Sequence, residues 1–233
     1  MPMKKIVGIV PTARLFQKDD LYSDNYIFVN NYIKRIAENN GVPMGILSED
    51  GYALEDELEL CHSFLICGGA RIYPYHFQVV DYAVRNKRPI LGICLGMQVI
   101  CTYFKVLEEC RKREYQGSLL ELYEQMKKEG YMFTEPVEHH WDVAMTRSNI
   151  EETKHRIIVK EGTRLYGLVK SGTIMGATMH KYRVGQVPEC ITICGRSEDG
   201  TVEAVEYGSS VLGVQFHPEV ERKLDCLFST LTE

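Results

Sequence analysis

The chain has no surplus of positive charge: 27 Lys and Arg stand against 32 Asp and Glu, a formal net charge of −5. Phosphate backbones and anionic lipid need a broad positive field, so neither nucleic acid nor a membrane surface is an expected partner. Long hydrophobic runs are also missing. The opening "MPMKKIVGIVPTARLF" sets two lysines before a short apolar stretch, too short for a secretory core or a bilayer span, and a cytoplasmic location is expected. Neither a P-loop nor a GxGxxG fingerprint occurs, which removes the usual nucleotide signatures. The eight cysteines contain no CxxC pair and most lie in apolar strings, so reduced packing thiols are expected rather than a disulfide framework. Adjacent histidines in a strand, such as His139 and His140, point to opposite faces and do not chelate one ion. With no second ligand pair at a suitable spacing, neither a metal nor a cofactor is expected.

What is present is an ordinary globular composition. At 233 residues with 45% hydrophobic and 25% charged residues, the chain can bury a sizeable core, and a single domain spanning 1–233 is expected. "KKIVGIVPT", "VPMGILS", "HSFLICGG" and "PILGIC" read as buried strands. "YSDNYIFVNNYIKRIAENNG", "PYHFQVVDYAVRNKR" and "LGMQVICTYFKVL" read as helices between or after them. Apolar strands alternating with helices predict a parallel sheet covered on both faces, with ligands beyond the carboxyl ends of the strands. The segment 111–130 reads as a charged, solvated helix in two pieces split at Gly117. Beyond it, "HWDVAMTR", "HRIIVKEG", "SGTIMGAT", "ECITICGRS", "TVEAVEYG" and "SVLGVQFH" read as strands, the last three antiparallel neighbours, and a terminal helix starts near 221.

Three stretches carry chemistry. In "PILGICLGMQ", Gly92 and Gly96 flank Cys94 where a strand turns into a helix. This G-x-C-x-G is the cysteine counterpart of a nucleophile elbow, and a helix start favours negative charge on the sulfur. In "GVQFHPEV", His217 follows a strand end and Glu219 lies two residues on. If the chain is extended there, both side chains share one face, giving the cysteine a base and the base an orienting carboxylate. In "CGGAR", the unobstructed amides of Gly68 and Gly69 end the strand next to the elbow, and with the amide of Leu95 they can form an oxyanion hole.

Taken together, "ICGGARIYP", "PILGICLGMQ" and "GVQFHPE" resemble the class I glutamine amidotransferase superfamily. "ARIYPYHF", "MHKYRVG" and "SEDGTVEAVEY" look like its γ-glutamyl hydrolase branch, peptidase family C26. The resemblance implies an α/β three-layer, flavodoxin-like sandwich with a mostly parallel central sheet and a β-rich C-terminal half. It implies a triad of Cys94, His217 and Glu219, with Gly69 and Leu95 holding the oxyanion. Gln98 would lie beside the γ-glutamyl group and His180 on the substrate side. The implied reaction is hydrolysis of a small γ-glutamyl amide through a γ-glutamyl thioester, by a cofactor-free chain compatible with a homodimer. The alternative is a glutaminase domain delivering ammonia to a partner synthetase; a non-catalytic binding protein on the same scaffold is a third reading. Departures from the γ-aminobutyrate hydrolases are Leu95 where they carry Arg, the charged stretch 105–130, and Ala177-Thr178 in place of Asn-Ser; all three bear on the leaving-group side.

Overall fold

The computed structural model describes residues 3–16 and 23–233. A nine-stranded sheet organises them: β1 (Ile6–Val10), β2 (Val42–Gly45), β3 (Ser63–Ile66), β4 (Ile90–Ile93), β5 (Lys154–Val159), β6 (Thr173–Ala177), β7 (Thr192–Ser197), β8 (Val202–Tyr207) and β9 (Val211–Val214). Their spatial order is β6-β5-β7-β8-β9-β4-β3-β1-β2. The five strands from β9 to β2 pair in parallel. The antiparallel ladder β8, β7, β5, β6 extends the sheet beyond β9.

Strand residues alternate between two cores because side chains in a strand point to opposite faces. Val10, Phe64, Ile66 and Ile90 join one core. Val7, Ile9, Leu65, Leu91 and Ile93 join the other. Over the first core lie α2 (Pro74–Arg85), α3 (Leu95–Lys112) and α4 (Leu119–Lys128). Over the second lie α1 (Asn30–Glu38) and the C-terminal Cys226–Ser229 helix. This is the three-layer α/β architecture read from the sequence. No helix among the described residues is long and apolar enough to cross a membrane.

Several local expectations change. The first helix starts at Asn30, and Tyr22, where the sequence pattern begins, lies outside the described residues. The helix leaving the elbow runs on to Lys112, because Lys105 and Lys112 both pair with Glu108 along one side of it. The break near Gly117 is where expected, and Ser118 caps α4 in a box with Glu121. "HWDVAMTR" is not a strand. Its backbone is tied into a turn by Asn149, which accepts from the Thr146 amide and donates to the Ala144 carbonyl. The chain end forms a short 3-10 turn at Arg222–Leu224, with its helix beginning only at Cys226. All eight cysteines are free, and Cys190 is exposed rather than packed in a core.

Candidate active site

The parallel strands end together. β1 stops at Val10, β3 at Ile66, β4 at Ile93 and β9 at Val214, so the segments leaving them meet at one edge of the sheet. Cys94 is the residue between β4 and α3, with φ 54° and ψ −106°. A non-glycine residue there carries strain of about 1–3 kcal/mol, held by its surroundings. Those surroundings are the two glycines. A Cβ on Gly92 would lie 2.5 Å from the backbone carbon and oxygen of Gly96, and one on Gly96 would lie 2.4 Å from the Ile66 carbonyl oxygen. Backbone cannot yield as a flexible side chain does. Gly96→Ala is therefore expected to cost about 1–3 kcal/mol or more, read as a lowered urea midpoint.

His217 is fixed by its own backbone, whose amide donates to the Ala177 carbonyl at 2.8 Å. The chain does not stay extended after it. Pro218 opens a 3-10 turn, Pro218–Val220, so the shared face of an extended chain is replaced by a tight turn that folds Glu219 back. His217 Nδ1 and Glu219 Oε1 are 2.7 Å apart, and both residues are buried. A carboxylate can only accept, so Nδ1 carries the proton and donates. Among the described residues Nε2 has no partner in good hydrogen-bond geometry, and the ring stands with Cys94 over Gly68. A Cβ built on Gly68 would lie 3.1 Å from His217 Cε1 and 3.4 Å from Cys94 Cβ. Burial pulls the imidazole down, but the charge of Glu219, then the ring's side-chain interactions with Cys94 and Glu219, outweigh it, and His217 is held well above the ordinary histidine value. A protonated imidazole beside a cysteine stabilises the thiolate.

Two further residues adjoin Cys94, Leu95 in the chain and Gly69 packed against Leu95. Leu95 is the first residue of α3, and its N–H has no acceptor within the helix. Gly69 packs so tightly that a Cβ would lie 2.5 Å from Thr12 Oγ1 and 3.0 Å from a Leu95 methyl. The Gly68 amide is already used: it donates to the Tyr32 hydroxyl at 3.1 Å. Of the glycine pair, Gly69 is thus the residue with an amide to offer. The arrangement combines a strained thiol, an oriented imidazole and N–H donors at a helix start, the parts that acyl transfer from an amide requires.

The family model for glutamine amidotransferase class-I matches residues 21–226. The chain belongs to the class-I glutamine amidotransferase family. Among its relatives, a CTP synthase of Nautilia profundicola is 28% identical over 203 residues, 75% of this chain and 35% of that protein. A glutamine amidotransferase-like protein of Rickettsia prowazekii is 26% identical over 94% of this chain and 92% of its own length. A GMP synthase of Thermosipho melanesiensis is 28% identical over 61% of the chain and 20% of its own length. The chain spans about a third or less of these synthases. Among solved structures, the CTPS glutaminase domain of Trypanosoma brucei with bound acivicin superposes with a TM-score of 0.63 at 18% identity, covering 97% of this chain and 91% of that one. A glutamine amidotransferase of Thermotoga maritima gives 0.59 at 17% identity, covering 93% and 77%.

In this amidotransferase domain the cleft over Cys94 measures about 1000 Å³. Gln98 lines it one turn along α3, its Nε2 donating to the Tyr182 carbonyl at 2.9 Å and to Gln215 Oε1 at 3.1 Å. With both amide hydrogens used, Oε1 is left to accept. His180 lines the cleft too, but both its ring nitrogens are engaged: Nδ1 with the Tyr182 carbonyl at 3.1 Å and Nε2 with His140 at 3.0 Å. It shapes the wall and has no ring nitrogen turned to Cys94. No local pattern points to Tyr32, or to the outer wall, where Lys181 Nζ sits 5.2 Å from the Trp141 ring centroid, because these residues come from separate segments. The sequence spacing showed no second ligand pair beside His139 and His140, yet in the fold His140 does not stand alone. It is buried against His155, His180 and Glu203, which the fold brings from three distant positions.

Proposed function

We propose that this chain cleaves the C–N bond of a γ-glutamyl amide through a thioester on Cys94, with glutamine as substrate and ammonia passing to a separate synthetase. The observation that carries the chemistry is the strained Cys94 beside an imidazole whose Nδ1 is held by Glu219 and whose Nε2 has no other partner among the described residues. In this reading the Cys94 sulfur attacks the γ-carbonyl carbon while the Gly69 and Leu95 amides stabilise the oxyanion. The C–N bond breaks as His217 gives its proton to the leaving amine. His217 then takes a proton from water, which attacks the thioester and returns glutamate and the free thiol. Gln98 Oε1 accepts from the substrate's α-ammonium group, and Arg14 and Arg71 at the cleft supply charge for its α-carboxylate. Glutamine is favoured because the relatives include CTP and GMP synthases.

A second reading, the free-standing γ-glutamyl hydrolase of the peptidase C26 kind, is supported by the size of the cleft. Its volume of about 1000 Å³ is at the upper end for small-molecule sites and exceeds what glutamine fills. Trp141, Met145, Lys181 and Tyr182 would line the amine side. Glutamate release by the isolated chain, measured on glutamine, γ-glutamyl-γ-aminobutyrate, γ-glutamyl peptides and polyglutamates, separates the two. Weak turnover of glutamine that rises when a synthetase and its acceptor are added supports the first. A kcat/KM for a conjugate about tenfold or more above that for glutamine supports the second. No release from any substrate, with no labelling of Cys94 by a thiol-directed glutamine analogue, overturns both.

A further inference from the structure

We propose that His140, His155, His180 and Glu203 form a site for a divalent metal ion of the zinc class, behind the wall of the cleft and distinct from Cys94. Glu203 on β8 is completely buried, yet among the described residues neither of its carboxylate oxygens has a donor in good hydrogen-bond geometry. An ionised carboxylate so placed is costly unless something neutralises it. Three imidazole nitrogens surround its Oε1: His155 Nε2 at 3.3 Å, His140 Nδ1 at 3.4 Å and His180 Nε2 at 3.6 Å. His155 Nε2 is itself buried with no partner in good hydrogen-bond geometry among the described residues.

The outer contacts fix which nitrogens carry protons. His140 Nε2 faces Asp199 Oδ2 at 3.1 Å and His180 Nδ1 faces the Tyr182 carbonyl at 3.1 Å. Both partners are acceptors, so these nitrogens hold the ring protons. In the neutral rings, His140 Nδ1 and His180 Nε2 then present lone pairs to each other across 3.0 Å and to Glu203. Lone pairs converging on a buried carboxylate repel unless a cation lies among them. A tetrahedral zinc bound at about 2.0–2.1 Å spaces its ligand atoms about 3.3 Å apart, and the four separations above straddle that value. Histidine nitrogens with one carboxylate are a normal zinc donor set, and the acceptors on the far nitrogens of His140 and His180 are the usual outer support. The side chain of His155, about a fifth exposed, gives the ion a way in.

The ligands come from the 137–149 segment, from β5, from the loop before Tyr182 and from β8. An ion there would staple the cleft wall bearing Trp141, Met145 and Lys181 to the sheet, and so affect KM more than kcat.

The full chain is stripped with a chelator, incubated with Zn²⁺, desalted and analysed for metal. About one zinc per chain is expected, retained in Cys94→Ser and lost in His155→Ala and Glu203→Gln. Asp199→Asn keeps all four ligands and removes only the outer carboxylate; it should weaken binding about 10–100-fold. Because Glu203→Gln can fail to fold, Co²⁺ titration of the unmodified chain gives an independent readout, a ligand-field spectrum free of sulfur-to-metal charge transfer. A desalted wild-type chain without zinc, zinc lost in Cys94→Ser, a sulfur-to-cobalt band or an unchanged affinity in Asp199→Asn would each overturn the site in favour of a protons-only cluster or a thiol-bound metal.

Discussion

Cys94→Ala is expected to lower kcat/KM for glutamate release by about 10⁴-fold or more, close to 5.4 kcal/mol of transition-state stabilisation, with the unfolding transition still cooperative. Of the remaining seven cysteines, Cys67 is the one beside the same glycine pair, but burial and then Glu219 push its thiol well above the ordinary value, and it stays protonated and inert. The same position makes a second measurement possible. Cys94 has a positive φ that an L-residue pays for and glycine does not. Cys94→Gly should therefore be as inactive as Cys94→Ala yet more stable by roughly 1 kcal/mol, after subtracting glycine's added chain entropy. Equal stability of the two variants would mean the elbow is not strained, and a persisting rate in either would remove the thioester from the mechanism.

The parts of the site that could be read from the sequence are those whose geometry is dictated within a few residues. Gly92 and Gly96 are required by backbone atoms 2.4–2.5 Å from where their Cβ atoms would be, so the elbow is written locally. His217 and Glu219 are two residues apart, and their pairing is legible even though Pro218 brings it about through a turn rather than an extended strand. The alternation of buried strands with helices likewise shows the parallel half of the sheet. What escaped is what tertiary contact alone creates. The partner of the Gly68 amide is Tyr32 on α1, thirty-six residues earlier. The partners of His140 lie 15, 40 and 63 residues later, on a strand, a loop and another strand, and no spacing rule joins them. The failed strand at "HWDVAMTR" belongs here also: its alternation is real, but the side-chain bonds of Asn149 offered the backbone a turn.

Glu219→Gln is expected to reduce kcat by about 10²–10³-fold and to move the alkaline limb of kcat/KM to lower pH. Glutamine has the size of the carboxylate but can present either its oxygen or its NH₂ to His217 Nδ1. In the second orientation Nδ1 must accept, the proton moves to Nε2, and the imidazole can no longer take a proton from water. A wrong tautomer of this kind costs about 10⁴-fold with a hydroxyl nucleophile; a thiol depends less on its base, which sets the smaller figure. The pH shift has a separate cause. Burial lowers the His217 pKa, and it stands above the ordinary value because the charge of Glu219, followed by the side-chain interactions with Cys94 and Glu219, prevails. Without the carboxylate, burial regains weight and the imidazolium that protonates the leaving amine is lost at lower pH. The same linkage acts on folding. A histidine whose folded pKa is raised contributes stability that is fully present below its unfolded value and is lost as pH rises through the folded one. Wild-type stability should therefore fall across that interval, and the fall should shrink in Glu219→Gln. A variant that lost rate with its alkaline limb unmoved would show that Glu219 holds the turn at Pro218 without setting the charge of His217.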